Sequence, residues 1–236
     1  MSIYTIKMIT VLGPTACGKT RYAVQLAMDV DGEIISADSR QVFRGMDIGT
    51  GKDLNEYTVD GRTIPHHLID IRDAGEIYNA FQFVSDFHVA YNDIVSRQKT
   101  PILCGGTGLY LAAILQHYDF QKENPDLHFP KIQCDQILAI FPPRNIVRER
   151  ITQRLKDRLN AGLIEEVEGL LKQGVPKEML IAYGLEYKFV THYLLGIYTK
   201  DELFERLNTA IHQFAKRQMT WFRKMQREGV EMTIVE

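Results

Sequence analysis

Short apolar runs alternate along the chain with amphipathic stretches, and this alternation predicts the elements. Residues 6–12 are mostly apolar and read as a strand. Ala23, Leu26, Ala27 and Val30 follow at helical spacing, so a helix is expected from near Lys19, ended by Asp31-Gly32. The segments 33–37 (EIISA), 101–104 (PILC) and 136–141 (QILAIF) read as buried strands, and 231–235 as a last one. Val84, Phe87, Tyr91 and Ile94/Val95 mark the inner face of a second helix. Amphipathic helices are expected over 145–161, 164–172 and 201–227, covering one side of the sheet. Strands that alternate with helices imply a parallel sheet with helices on both faces. The polar stretch around 116–134, with Pro125 and Pro130, breaks the pattern and reads as a linker or lid within a single domain, 1–236.

Composition narrows the class. The 236 residues, 45% hydrophobic and 25% charged, suffice for one α/β domain with a sizeable core. A net charge of -2 lacks the global basic excess of a dedicated nucleic-acid binder, which leaves only a local basic patch for that role. Cys17, Cys104 and Cys134 form no CxxC pair, so no zinc or redox motif is visible and a reducing compartment is expected. No apolar run approaches the ~18 residues of a membrane span. A cytoplasmic protein with no membrane partner is the expectation.

Chemistry enters at Gly13-Pro14-Thr15-Ala16-Cys17-Gly18-Lys19-Thr20, a full match to GxxxxGK[ST] between a strand and a helix. Glycines let backbone N–H groups turn inward around phosphate oxygens, and the helix N-terminus adds its dipole. Lys19 supplies a mobile charge, and the Thr20 hydroxyl is placed to ligate Mg²⁺. The expected fold is therefore α/β: a P-loop NTPase-like parallel sheet with helices on both faces, plus C-terminal helices. The loop does not name the reaction, since kinases, NTPases and some transferases share it.

In such sheets ligands bind at the carboxyl ends of strands, where Asp38–Gln41 and Gly105–Tyr110 should join the loop. Asp38 there can accept a proton, hold magnesium through water, or merely cap a turn. Thr107 is either a site hydroxyl or a helix cap. His66-His67, adjacent in an extended segment, point to opposite faces and fit a structural role. Arg144, Arg148, Arg150, Arg154 and Arg158, with Lys216–Arg227, read as solvated helix faces from which one or two arginines reach a phosphate.

Six motifs then follow in order: GPTACGKT, ISADSRQVFRGMDIGTGK, IPHHLID, GGTGLYL, RLNAGLIEEV and AKRQMTWFRK. The set resembles the tRNA dimethylallyltransferase family, across 6–115 and again across 135–224. That resemblance implies transfer of a dimethylallyl group from its diphosphate to N6 of an adenine. It implies that residues 13–20 hold dimethylallyl diphosphate with Mg²⁺, Thr20 on the metal side. By the same resemblance Asp38 is the general base, Thr107 and Arg217 attend the diphosphate, and Ser39 and Gln41 hold the adenine. The acceptor implied is a tRNA anticodon loop or, as in the related adenylate dimethylallyltransferases, a free adenine nucleotide.

The sequence departs from the family at three places. The helical insertion that follows GGTGLYL is replaced by 116–134. The Gly-Tyr-Arg/Lys motif appears as Tyr183-Gly184-Leu185-Glu186-Tyr187-Lys188, and GTAKP as Gly49-Thr50-Gly51-Lys52-Asp53. Two readings of another class stay open: a small-molecule P-loop kinase and a non-catalytic nucleotide-binding module.

Overall fold

The computed structural model describes residues 7–118 and 129–235. In chain order its elements are β1 (Met8–Leu12), α1 (Lys19–Asp29), β2 (Gly32–Ala37), β3 (Phe43–Arg44), β4 (Thr58–Val59), β5 (Arg62–Thr63), β6 (His66–His67), β7 (Arg72–Asp73), α2 (Ala80–Ser96), β8 (Thr100–Gly105) and α3 (Gly108–Leu115). There follow β9 (Cys134–Ile140), α4 (Arg144–Asn160), α5 (Leu163–Lys172), α6 (Lys177–Tyr183), α7 (Leu185–Leu194), α8 (Lys200–Arg227) and β10 (Thr233–Val235). Six strands form one sheet in the order β10-β9-β1-β8-β2-β6, every pair parallel. β1 pairs with β8 on one side and β9 on the other, Val11 standing level with Cys104 and Leu138. The loop that leaves β1 therefore opens between the ends of both neighbours.

Alternation along the strands sorts their side chains between two cores. Val11, Ile34, Ile102, Cys104, Leu138 and Ile140 pack with α1. Leu12, Ile35, Ala37, Leu103 and Ala139 pack with α2, α3 and the end of α8. Helix starts are fixed locally: reciprocal side-chain and backbone bonds close capping boxes at Asn79/Gln82 for α2 and Thr199/Glu202 for α8.

The C-terminal helices depart from expectation. Residues of α4, α5, α6, α7 and the first half of α8 build a separate core with Val42, Phe43 and Met46, which includes no residue of the six-stranded sheet. Ile71 and Tyr78 pack against both this core and the sheet, and α8 runs from one to the other. This helix has 28 residues, a length of roughly 40 Å. Leu203, Leu207, Ile211 and Ala215 face the helical core, and Phe222 and Met225 face the sheet. The pattern also missed α6 and α7, short helices joined through Gly184 at φ 76°, where no side-chain cap marks the junction. The predicted linker or lid at 116–134 falls largely on 119–128, outside the described residues.

Candidate active site

The phosphate loop is fitted to its surroundings by the absence of side chains. Gly18 has φ +91°, a conformation that suits glycine. A Cβ on Gly13 would come within 2.6 Å of both Cys17 Sγ and the Ile140 carbonyl at the end of β9. From α8, the buried Gln218 bridges two glycine loops: its Oε1 accepts from Thr15 N–H at 2.8 Å, and its Nε2 donates to the Gly106 carbonyl at 2.9 Å. A Cβ on Gly106 would stand 2.5 Å from Gln218 Nε2, and one on Gly108 would collide with the Trp221 ring. Bare backbone thus lets α8 close against the loop. Lys19 and Thr20 are half-buried, with side chains that have no hydrogen-bond partner among the described residues.

Asp38 follows β2, and its Oδ1 accepts from Arg40 N–H at 3.0 Å. Oδ2 has no partner among the described residues. Ser39 N–H donates to Thr107 Oγ1 at 3.1 Å, and Thr107 N–H donates to the Ala37 carbonyl at 3.2 Å. Thr107 occupies the N-cap position of α3, yet its hydroxyl makes no cap bond; it ties the ends of β2 and β8 instead. Burial pushes the Cys104 thiol up to about 12, with Lys19 pulling against that and Cys17 and Asp38 reinforcing it. Cys104 Sγ lies 3.8 Å from the Lys19 carbonyl, and Asp38 follows Ala37, which stands level with Gly105 at the end of β8. The predicted convergence of the three strand ends is met.

Two predicted residues are engaged differently. Gln41 accepts from Ser36 Oγ at 2.9 Å and donates to the Gly51 carbonyl at 3.1 Å, so its amide braces the loop beyond β3. Arg217 is exposed, with its guanidinium over the Phe214 ring at 5.9 Å; Arg40 lies over the same ring at 5.6 Å. That shared ring puts Arg217 beside the Asp38 turn.

Sequence reasoning missed the wall behind this turn. Glu186, 2% exposed, is clamped between Arg40 at 2.7 Å and Arg158 at 3.1 Å. Burial pushes the Glu186 carboxyl up, but the two guanidinium charges prevail and hold it below its ordinary value. Burial, then the neighbouring Arg154 charge, lowers Arg158 to about 10, so it stays charged at neutral pH. Arg158 also donates to the Gly49 carbonyl, and Arg154 pairs with Asp53 at 2.5 Å. Two arginines of α4 do reach inward, then, and meet protein groups there. Lys52, 1% exposed, donates to the Phe43 carbonyl and pairs with Asp47 and Asp70. Glu166 accepts from the N–H groups of Asp47, Ile48 and Gly49 and from Tyr187 Oη. His66 packs on Tyr57, and His67 bonds Glu33, the structural roles expected.

A family model described as IPP transferase matches residues 41–136 and 121–225. The chain belongs to the IPP transferase family. It is similar to tRNA dimethylallyltransferase 2 of Porphyromonas gingivalis, 48% identical over 276 residues, covering 94% of this chain and 91% of the relative. A tRNA dimethylallyltransferase 2 of Bacteroides fragilis is 43% identical, with 97% of this chain and 92% of the relative covered. Among solved structures, the tRNA isopentenylpyrophosphate transferase of Bacillus halodurans superposes with a TM-score of 0.81 at 28% identity, covering 98% of this chain and 90% of that one. The alignment to the Porphyromonas relative is longer than the 236 residues here, so that relative carries residues with no counterpart in this IPP transferase. The two matched segments meet at 121–136, around the polar stretch.

The two segments that depart from the family pattern, 49–53 and 183–188, meet at Arg158. Glu186 pairs with Arg158, and a Cβ on Gly51, at φ +62°, would collide with the guanidinium groups of Arg158 and Arg154. Among the described residues no cluster of three or more His, Cys, Asp or Glu could hold a metal. The Thr20 hydroxyl, without a hydrogen-bond partner among the described residues, could hold a magnesium whose other ligands are waters and substrate phosphate oxygens.

Proposed function

We propose that this chain transfers a dimethylallyl group from dimethylallyl diphosphate to N6 of a tRNA adenine. The observation that carries this reading is the junction of Asp38, Ser39 and Thr107 beside the phosphate loop, in a member of the IPP transferase family. Residues Gly13, Pro14, Thr15, Ala16, Cys17, Gly18, Lys19 and Thr20 receive the diphosphate. Thr20 would hold Mg²⁺, which supplies positive charge beside the leaving group.

The allylic C–O bond breaks as the N6–C bond forms, and the electron pair leaves with the diphosphate. Loop N–H groups, Lys19 and Arg217 stabilise the charge that develops there. Asp38 takes the N6 proton, and its orientation is set by Arg40 N–H. Thr107 holds the Asp38 turn against the end of β8. Ser39 lines the adenine side, and Gln41 shapes it through Gly51. Described helices include none long and apolar enough to cross a membrane, which fits an RNA substrate in the cytoplasm.

A second reading is transfer to a free adenine nucleotide. It is favoured by the residues that the Porphyromonas relative carries and this chain lacks. Both readings require the loop to prefer the prenyl donor over ATP. Calorimetry with each compound and Mg²⁺ should show heat of binding for dimethylallyl diphosphate. Affinity for ATP alone would point to a kinase or a nucleotide-binding module and sink the proposal.

A further inference from the structure

Between α4, α8 and the end of β9 lies a groove of about 810 Å³ that reaches Pro14 of the phosphate loop. It opens on the opposite flank of β1 from Asp38, since β9 and β2 lie on different sides of β1. Its floor is apolar, formed by Phe141, Val147, Ile151, Ala215 and Met219. Its charged lining is entirely basic: Arg144, Arg148, Lys216 and Arg223. All four are exposed, and none has an ion-pair partner among the described residues. Two adjoining depressions add Arg150 and Arg227, with Glu149 their sole acid.

This strip differs from an ordinary solvated helix face. Elsewhere on the same helices, cations are neutralised one turn away, as in Arg206–Glu202 and Lys224–Glu228. Along the groove that neutralisation is missing, in a chain whose net charge is -2. A polyanion is the complementary partner, and arginine forks suit phosphate oxygens bidentately. An apolar floor beneath a basic rim accepts the flat faces of bases or sugars while the rim follows the backbone.

We infer that this groove takes the sugar–phosphate backbone of the acceptor RNA, outside the Asp38 cleft that receives the adenine. The inference rests on the tRNA reading above. It makes the enzyme grip RNA on both flanks of the phosphate loop, with position set by one flank and chemistry by the other.

The test is the double charge reversal Arg148→Glu/Arg223→Glu, at exposed positions where folding is checked by thermal melting. Transfer to an anticodon stem-loop is measured against salt concentration, and donor binding by calorimetry. The inference predicts that KM for RNA rises by on the order of tenfold or more and that the slope of log affinity against log salt flattens by about two. Turnover at saturating RNA and affinity for dimethylallyl diphosphate should stay as in the unaltered protein. An unchanged RNA KM and salt slope, in an enzyme that does modify RNA, overturns the inference alone. A loss confined to donor affinity also overturns it, assigning the groove to the donor. If the unaltered protein modifies only free nucleotides, the functional reading fails and this inference with it.

Discussion

Around the phosphate loop, close packing of bare glycine backbone and a single amide set the geometry, whereas around residues 47–53 charged side chains do. Gly13 and Gly18 make the first arrangement possible, and one amide, Gln218, ties the loop to Gly106. In the second, Glu166 gathers three N–H groups, Lys52 sits between two carboxylates, and Glu186 sits between two arginines. Glycine packing leaves the donor loop few ways to vary. In the wall of buried charges, Glu186, Gly51 and Arg158 meet.

The largest effect should come from the group that joins the two regions. Asp38→Ala is expected to lower kcat by ~10²–10⁴-fold, with donor affinity in calorimetry retained. Full activity in that variant would remove Asp38 from the chemistry. Next, Glu186→Gln leaves Arg40 and Arg158 without their shared counter-charge. Breaking a buried pair in this way costs about 3–5 kcal/mol, readable from urea midpoints. It also carries a pH signature. The Glu186 carboxyl lies below its ordinary 4.5 in the folded protein. Its stabilisation is therefore complete above that pH and is lost as pH falls through the folded value. The unaltered protein should lose stability more steeply on acidification than Glu186→Gln; parallel curves would contradict the clamp.

The donor side should respond to volume instead of charge. Gly106→Ala forces Gln218 aside, with a destabilisation of about 1–3 kcal/mol and a raised KM for dimethylallyl diphosphate. A variant with native KM would show that the Gln218 bridge is dispensable. The smallest effect on stability belongs to Arg217→Ala, since the side chain is exposed: within about 0.5 kcal/mol. Its turnover should nonetheless fall, by at least tenfold at ~1.4 kcal/mol of lost charge stabilisation. Unchanged turnover would leave Arg217 a surface residue.

How much was legible in sequence follows the same divide. The phosphate loop is contiguous, so its eight residues announced the strand–loop–helix element, though not the reaction. Asp38 and the segment Gly105–Tyr110 with Thr107 were singled out because each follows a predicted strand, and strand ends converge in a parallel sheet. Thr107 was correctly suspected of an N-cap position, but its bond to Ser39 N–H depends on a partner 68 residues away. Gln218 and Arg158 were invisible in role: each lies in a polar run of an amphipathic helix, where neighbours of like character point to solvent. Glu186 did leave a signal, since it falls in the segment 183–188 that departs from the family pattern. Only the fold shows what answers it. The separate helical core was missed because an amphipathic stripe reports that a helix is covered, not by what.

The central claim is that the site transfers the dimethylallyl group of its diphosphate to an RNA adenine, releasing diphosphate. Incubating the protein with dimethylallyl diphosphate and Mg²⁺, beside an anticodon stem-loop and equimolar AMP, ADP and ATP, tests it in one mass-spectrometric measurement. The account predicts a dimethylallyl group on N6 of one RNA adenine and unmodified nucleotides. A prenylated nucleotide beside untouched RNA would contradict it.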